Sequence, residues 1–240
     1  MRTRATVLLS SGRKGTFLVL TALEQHPQVQ TYQQLLSRPD YYPRETGEEI
    51  LTRLFDDCDP SVEAVVLPVS WLNARDRYPG FWKSLTDRKV RVVHLKRRNM
   101  LRWYVSLRIA QRTGIWSTNR EPDYAIPTIH VDSKECVECI RADRQAERAA
   151  DDFFAHHAVL HLVYEDVVQA FDRHMAQLQR FLGVAPLILR PRTVKQESRP
   201  LCDVIDNFAE LREAFSGTEW ETLLEAGTEP AASVGMQGSP

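Results

Sequence analysis

Four short apolar runs stand out along the chain: ATVLL at 5–9, AVVLPV at 64–69, VRVVHL at 90–95 and VLHLVY at 159–164. None alternates strictly between polar and apolar residues, which predicts strands covered on both faces. Between them, apolar positions recur at helical spacing over 15–25, 47–57, 100–113, 134–156 and 166–182. Strands that alternate with helices predict an α/β fold: a mainly parallel central sheet flanked by helices and joined by right-handed crossovers. We read residues 1–226 as a single domain, and the small, polar stretch 227–240 as a disordered C-terminal tail. Residues 26–46 and 116–127 carry prolines and tyrosines without a period, and read as irregular segments bordering an acceptor pocket. Ligands of such sheets bind beyond the carboxyl ends of the strands.

Composition narrows the picture. With 31 basic and 32 acidic residues the net charge is -1, so no overall field recruits nucleic acid or an anionic membrane. No apolar run approaches the roughly 20 residues that cross a bilayer, and the apolar part of the start is too short for a secretory signal. The expectation is a cytoplasmic protein with neither nucleic acid nor membrane as partner; nothing in the sequence speaks to oligomeric state. Four scattered cysteines suit a reducing compartment. Cys136 and Cys139 form a C-x-x-C pair downstream of His130, but a tetrahedral site needs four ligands. They read as two small residues on one helix face, and no metal is expected.

The candidate chemistry sits at two strand ends. "SSGRKGTF" at 10–17 follows the first apolar run, and two glycines with two cations at a strand-to-helix turn suit a loop that wraps an anion. From Arg88 to Arg112 there are nine basic residues and no acidic one. Arg102, Arg108 and Arg112 read as a solvated helix face. Arg98 differs, because it falls between the strand end and the start of the next helix. Ser106 follows eight residues later, about two turns into that helix, so guanidinium and hydroxyl are spaced to share one phosphate. A Walker A loop requires G-x-x-x-x-G-K-[ST], whereas here the lysine precedes Gly15; magnesium-nucleotide chemistry of the kinase type is therefore disfavoured.

The order cation, residue, glycine, hydroxyl in Arg13-Lys14-Gly15-Thr16 is instead similar to the P-loop-like phosphosulfate loop of sulfotransferases that use 3′-phosphoadenosine 5′-phosphosulfate (PAPS). "RRNMLRWYVS" at 97–106 resembles that family's second signature, an arginine and a serine eight apart. "LVYEDV" at 162–167, "RFLGV" at 180–184 and the segment 193–220 resemble further family stretches, the last most like bacterial, nodulation-type carbohydrate sulfotransferases. What the resemblance implies is a single nucleotide-binding domain that moves a sulfuryl group from PAPS to a hydroxyl of a small-molecule or carbohydrate acceptor, as in bacterial secondary metabolism, releasing adenosine 3′,5′-bisphosphate. By position, Arg13 matches the catalytic basic residue that bridges donor and leaving group. Lys14, Gly15, Thr16 and Phe17 match the 5′-phosphosulfate loop, Arg98 and Ser106 the 3′-phosphate site, Tyr164 a tyrosine near the adenine, and Lys195 with Gln196 a segment that closes over the nucleotide. Glu165 and Asp166 read as caps of the helix beginning at Val167.

Two departures bear on activity. Many bacterial members carry a glutamate, proposed as general base, where this chain has Gln34, and a glutamine cannot accept the proton. Many also carry a lysine where Pro68 stands. Asp40, Glu45, His26 and His130 are the substitutes to weigh, while His94 reads as a satisfied core histidine. A phenolic acceptor needs a base less. The alternative to an enzyme is a non-catalytic, nucleotide-binding relative.

Overall fold

The computed structural model describes residues 4–33, 45–71, 78–119 and 125–224. Gln34, Asp40 and the expected tail 227–240 lie outside them. In chain order the described elements are β1 (Arg4–Leu9), α1 (Thr16–Leu23), β2 (Val29–Thr31), α2 (Gly47–Phe55), β3 (Ala64–Val69), α3 (Phe81–Asp87), β4 (Arg91–Lys96), α4 (Met100–Thr113), α5 (Ser133–Phe153), β5 (Val159–Val163), α6 (Tyr164–Gln169), α7 (Phe171–Leu182), α8 (Leu201–Val204) and α9 (Phe208–Phe215).

The five described strands form one sheet in the order β2-β3-β1-β4-β5, and every pairing is parallel. The α/β class expected from the apolar runs is the observed one. The runs in β1, β3 and β4 are strands covered on both faces, whereas β5 lies at the sheet edge with His161 exposed. Leu8, Val66, Val93 and Leu95 pack with α1, α6 and α7, whereas Val7, Leu9, Val65, Leu67 and Val92 pack with α2 and α3. A third cluster joins α4 and α5 to α8, α9 and Trp220, so the C-terminal segment is folded onto the same body.

Three features departed from expectation. The segment 26–46 contains β2, whose three residues are too short to show a period. The helix expected over 166–182 is two helices, because Ala170 leaves helical geometry at φ -133° and ψ 58°. The seven-residue α3 was unmarked by any pattern. Pro68 is accommodated in β3 for a local reason. The backbone groups of Ala64 and Val66 point to the β2 side, so a donor at 68 would face that side too, and among the described residues β2 pairs no further along than Val66.

Strand order reverses direction at β1, which has β3 on one side and β4 on the other. The turns after β1, β4 and β5 therefore open on a common crevice at the carboxyl edge of the sheet.

Candidate functional site

The turn after β1 is shaped by two left-handed residues. Arg13 adopts φ 68° and Gly15 φ 94°, and at Gly15 a Cβ would stand 3.0 Å from Cε2 of Tyr164 and closer still to its Cδ2. Only glycine meets both conditions. The turn's carbonyls are drawn back into the protein: Gly12 O accepts from Trp103 Nε1 at 2.8 Å, and Arg13 O accepts from Arg97 at 2.9 Å. α1 then begins at Thr16, whose hydroxyl pairs with Ser10 Oγ at 2.6 Å. Helix-opening N–H groups lack intrahelical partners and favour an anion.

A cavity of about 420 Å³ adjoins this turn. Its wall brings together Arg13 and Gly15 from the first loop, Thr16 and Phe17 from the start of α1, Ser106 from α4, Tyr164 from the start of α6, and Lys195 with Gln196 from the C-terminal segment. Arg13 Nε donates to Ser106 Oγ at 3.0 Å, and its NH2 group donates to Gln196 Oε1 at 2.6 Å. Residues 193–199 are held over the cavity by Val194 N to Thr118 O at 3.0 Å, Gln196 Nε2 to Ile115 O at 3.3 Å, and Arg102 to Arg199 O at 3.0 Å.

Two expected residues stand elsewhere. The Lys14 side chain is fully buried and points away from the wall, where it binds Asp143 Oδ2 at 2.5 Å and Glu147 Oε1 on α5. Its place is structural support: Asp143 also accepts from Ser11 at 2.5 Å, so α5 grips the turn from behind. The Arg98 side chain is 62% exposed and is bound by Asp166, 2.8 Å from each carboxylate oxygen. Glu165 accepts from the backbone N–H groups of Arg98 and Asn99. Glu165 thus holds the turn leading into α4, whereas capping of a helix from Val167 was expected. Of the candidate bases, His26 bonds Ala185 O, Glu45 pairs with Arg53 and His130 with Asp206; none of the three lines the cavity.

Arg97 and Arg102 were not expected there, yet both line the cavity. The Arg97 side chain is only 7% exposed, lies 4.9 Å from the Tyr164 ring centre, and has Nε buried with no hydrogen-bond partner. Arg102, expected on a solvated face, is also 7% exposed. Strand parity offered a signal for Arg97. It continues the face of Val93 and Leu95, the face that packs on α1, whereas Arg98 falls on the other.

Burial makes these cations costly. It pulls the Arg97 and Arg102 guanidiniums below their usual range, Arg102 further through repulsion from Arg97. Burial, then Arg97 and Arg102, push Lys195 down to about 8. Glu165 and Glu197 oppose these shifts without cancelling them, and among the described residues Glu197 is the one carboxylate lining the wall against the cations Arg13, Arg97, Arg102 and Lys195.

No protein-family model matches the chain. In sequence it is 26% identical over 229 residues to nodulation protein H of Rhizobium tropici, covering 91% of this chain and 92% of that protein. In structure it is similar to a sulfotransferase from Alicyclobacillus acidocaldarius, with a TM-score of 0.53 at 17% identity and coverage of 93% of this chain and 95% of that one. The chain thus shares the fold of that sulfotransferase and is similar in sequence to nodulation protein H along nearly its whole length. A mouse sulfotransferase, SULT7A1 complexed with PAP, aligns at a TM-score of 0.48 and 13% identity, over 94% of this chain and 90% of that one. Among the described residues no helix is long and apolar enough to cross a membrane.

Proposed function

We propose that the chain is a PAPS-dependent sulfotransferase acting on a hydroxyl of a small-molecule or carbohydrate acceptor. The observation that carries this reading is the convergence of Arg13, Arg97, Arg102 and Lys195 on one cavity, with the last three depressed in their proton affinity. Excess buried positive charge is stabilised by an anion, and Arg97 Nε, 3.7 Å from Glu165 Oε1 and without a hydrogen bond, is a donor with capacity to spare for one. The donor nucleotide carries phosphates at two places, which suits a wall with cations on both the first loop and α4.

In this reading the turn 12–17 and the N-terminus of α1 hold the 5′-phosphosulfate, with Gly15, Thr16 and Phe17 at the wall and Lys14 bracing the turn from behind. Ser106, Arg97 and Arg102 take the 3′-phosphate. Arg98 joins them by exchanging Asp166 for the phosphate. Tyr164 lies beside the adenine, and Lys195 with Gln196 closes over the nucleotide. The acceptor oxygen forms a bond to sulfur as the bond from sulfur to the bridging 5′-phosphate oxygen breaks, and the hydroxyl proton passes to solvent water. Negative charge grows on the bridging oxygen, and Arg13, charged throughout, donates to it. An arginine there stabilises the leaving group without protonating it. A phenolic acceptor, whose proton leaves more readily than an alcohol's, places the least demand on a base at the position of Gln34.

Two measurements test the reading. Calorimetric titration with adenosine 3′,5′-bisphosphate is expected to show one site per chain. A panel of phenols, alcohols and sugars with sulfate-labelled PAPS is expected to yield a labelled product that Arg13→Ala abolishes. Tight nucleotide binding with no product from any acceptor would support the non-catalytic alternative, and absence of binding would remove both.

A further inference from the structure

A second cavity, of about 250 Å³, lies on the opposite side of β4 from Arg97 and takes no part in the nucleotide site. Its wall includes His94 on β4, His161 on β5, His157 from the turn before β5, and Asp151 near the end of α5. His94 and His161 are in-register partners of neighbouring parallel strands, so their side chains leave the same face of the sheet. Asp151 crosses beneath them. Its Oδ1 lies 2.7 Å from His94 Nδ1 and 3.9 Å from His161 Nδ1, and one ligand atom from each of the three residues falls within 4.8 Å of the others.

We propose that His94, Asp151 and His161 form a binding site for a divalent transition ion of the zinc class. Two imidazole nitrogens and one carboxylate oxygen are the donor set zinc takes when one position is left to water. Bonds of 2.0 to 2.1 Å in a tetrahedron place ligand atoms about 3.3 Å apart. The two measured separations, 2.7 and 3.9 Å, bracket that value, and the third is no more than 4.8 Å, so metallation needs displacements of at most about 1.5 Å. His157 donates from Nδ1 to Val90 O at 2.8 Å, which fixes its ring in the wall of the same cavity. The other oxygen of Asp151 accepts from Lys96 Nζ at 2.5 Å. That contact orients the carboxylate, while the ammonium charge opposes a second cation and sets the affinity below that of a closed structural site. His161, with a side chain 55% exposed, stands at the solvent side and gives the ion its entry.

The test uses the full chain without a polyhistidine tag, stripped with a chelator, dialysed and titrated with zinc chloride. One zinc per chain is expected, with a rise in melting temperature. His161→Ala lies at the exposed edge and is expected to weaken zinc binding by at least about ten-fold while leaving the circular dichroism spectrum unchanged; His161→Gln serves if the alanine variant loses structure. Lys96→Met is expected to tighten binding. The cobalt-loaded protein is expected to lack the thiolate charge-transfer band that Cys136 and Cys139 would produce. Failure of the unsubstituted chain to bind zinc, equal affinity in His161→Ala and the unsubstituted chain, or a thiolate band abolished by Cys139→Ser would each overturn the proposal.

Discussion

Arg13 Nε donates to Ser106 Oγ across 3.0 Å, which joins the turn after β1 to the second turn of α4 although 93 residues separate them in the chain. Both residues line the same cavity as Arg97 and Lys195. The site is thus assembled from three distant stretches, and its charges interact directly.

The two neighbouring arginines have different local costs. Arg97 is buried with Nε held only by the long 3.7 Å ion pair to Glu165 and no hydrogen bond, whereas Arg98 is already satisfied by Asp166 at 2.8 Å. Arg97→Ala is expected to weaken adenosine 3′,5′-bisphosphate binding by about 100-fold or more, near 3 kcal/mol. Arg98→Ala is expected to cost about ten-fold, because the contact with Asp166 is lost from the free protein as well. Asp166→Asn, which releases Arg98, is expected to tighten binding. Calorimetry on the three variants checks the order, and an unchanged affinity in Arg97→Ala contradicts it.

Lys195 gives the binding a pH dependence. With its pKa pushed down to about 8, the free protein loses this proton as pH rises through 8, while a bound phosphate favours the ammonium form. Nucleotide affinity is therefore expected to be highest below about pH 7.5 and to fall toward pH 9.5, with proton uptake on binding near pH 9. Titration in two buffers of different ionisation enthalpy measures that uptake, and Lys195→Met should abolish it.

Gly15 is doubly constrained, by φ 94° and by the ring of Tyr164. Gly15→Ala is expected to lower stability by about 1 to 3 kcal/mol from the backbone alone, with more from the overlap. In the double variant with Tyr164→Ala the overlap is relieved and the backbone cost persists. Urea unfolding of the two proteins separates these contributions.

Lys14 is a folding residue before it is a binding one. Its removal leaves Asp143, 3% exposed, and Glu147 without their cation. Lys14→Met is expected to destabilise the chain by about 3 to 5 kcal/mol. Adding Asp143→Asn should recover part of the loss, measurable as a shift in the urea midpoint.

Much of the architecture was legible in the sequence because its causes are local. A strand covered on both faces must be apolar throughout, so 5–9, 64–69 and 90–95 marked β1, β3 and β4 to within a residue or so, and the apolar run 159–164 marked β5 although that strand lies at the sheet edge with His161 exposed. β2 and α3 were silent, since three and seven residues supply too few positions for a period. Gly15 of the first loop was equally visible, because left-handed backbone at a strand end favours glycine.

Which cation does what was decided only by the folded chain. Arg97 and Arg98 are adjacent and chemically identical, yet one is buried against Tyr164 and the other is exposed on Asp166. Lys14 turned to α5, and Arg102 left the solvated face for the cavity. A long charged side chain goes where desolvation is repaid by partners, and here those partners come from α5, from the start of α6 and from residues 193–199. Spacing along the chain sets which residues share a face; the destination of a guanidinium depends on groups that only tertiary packing brings within reach.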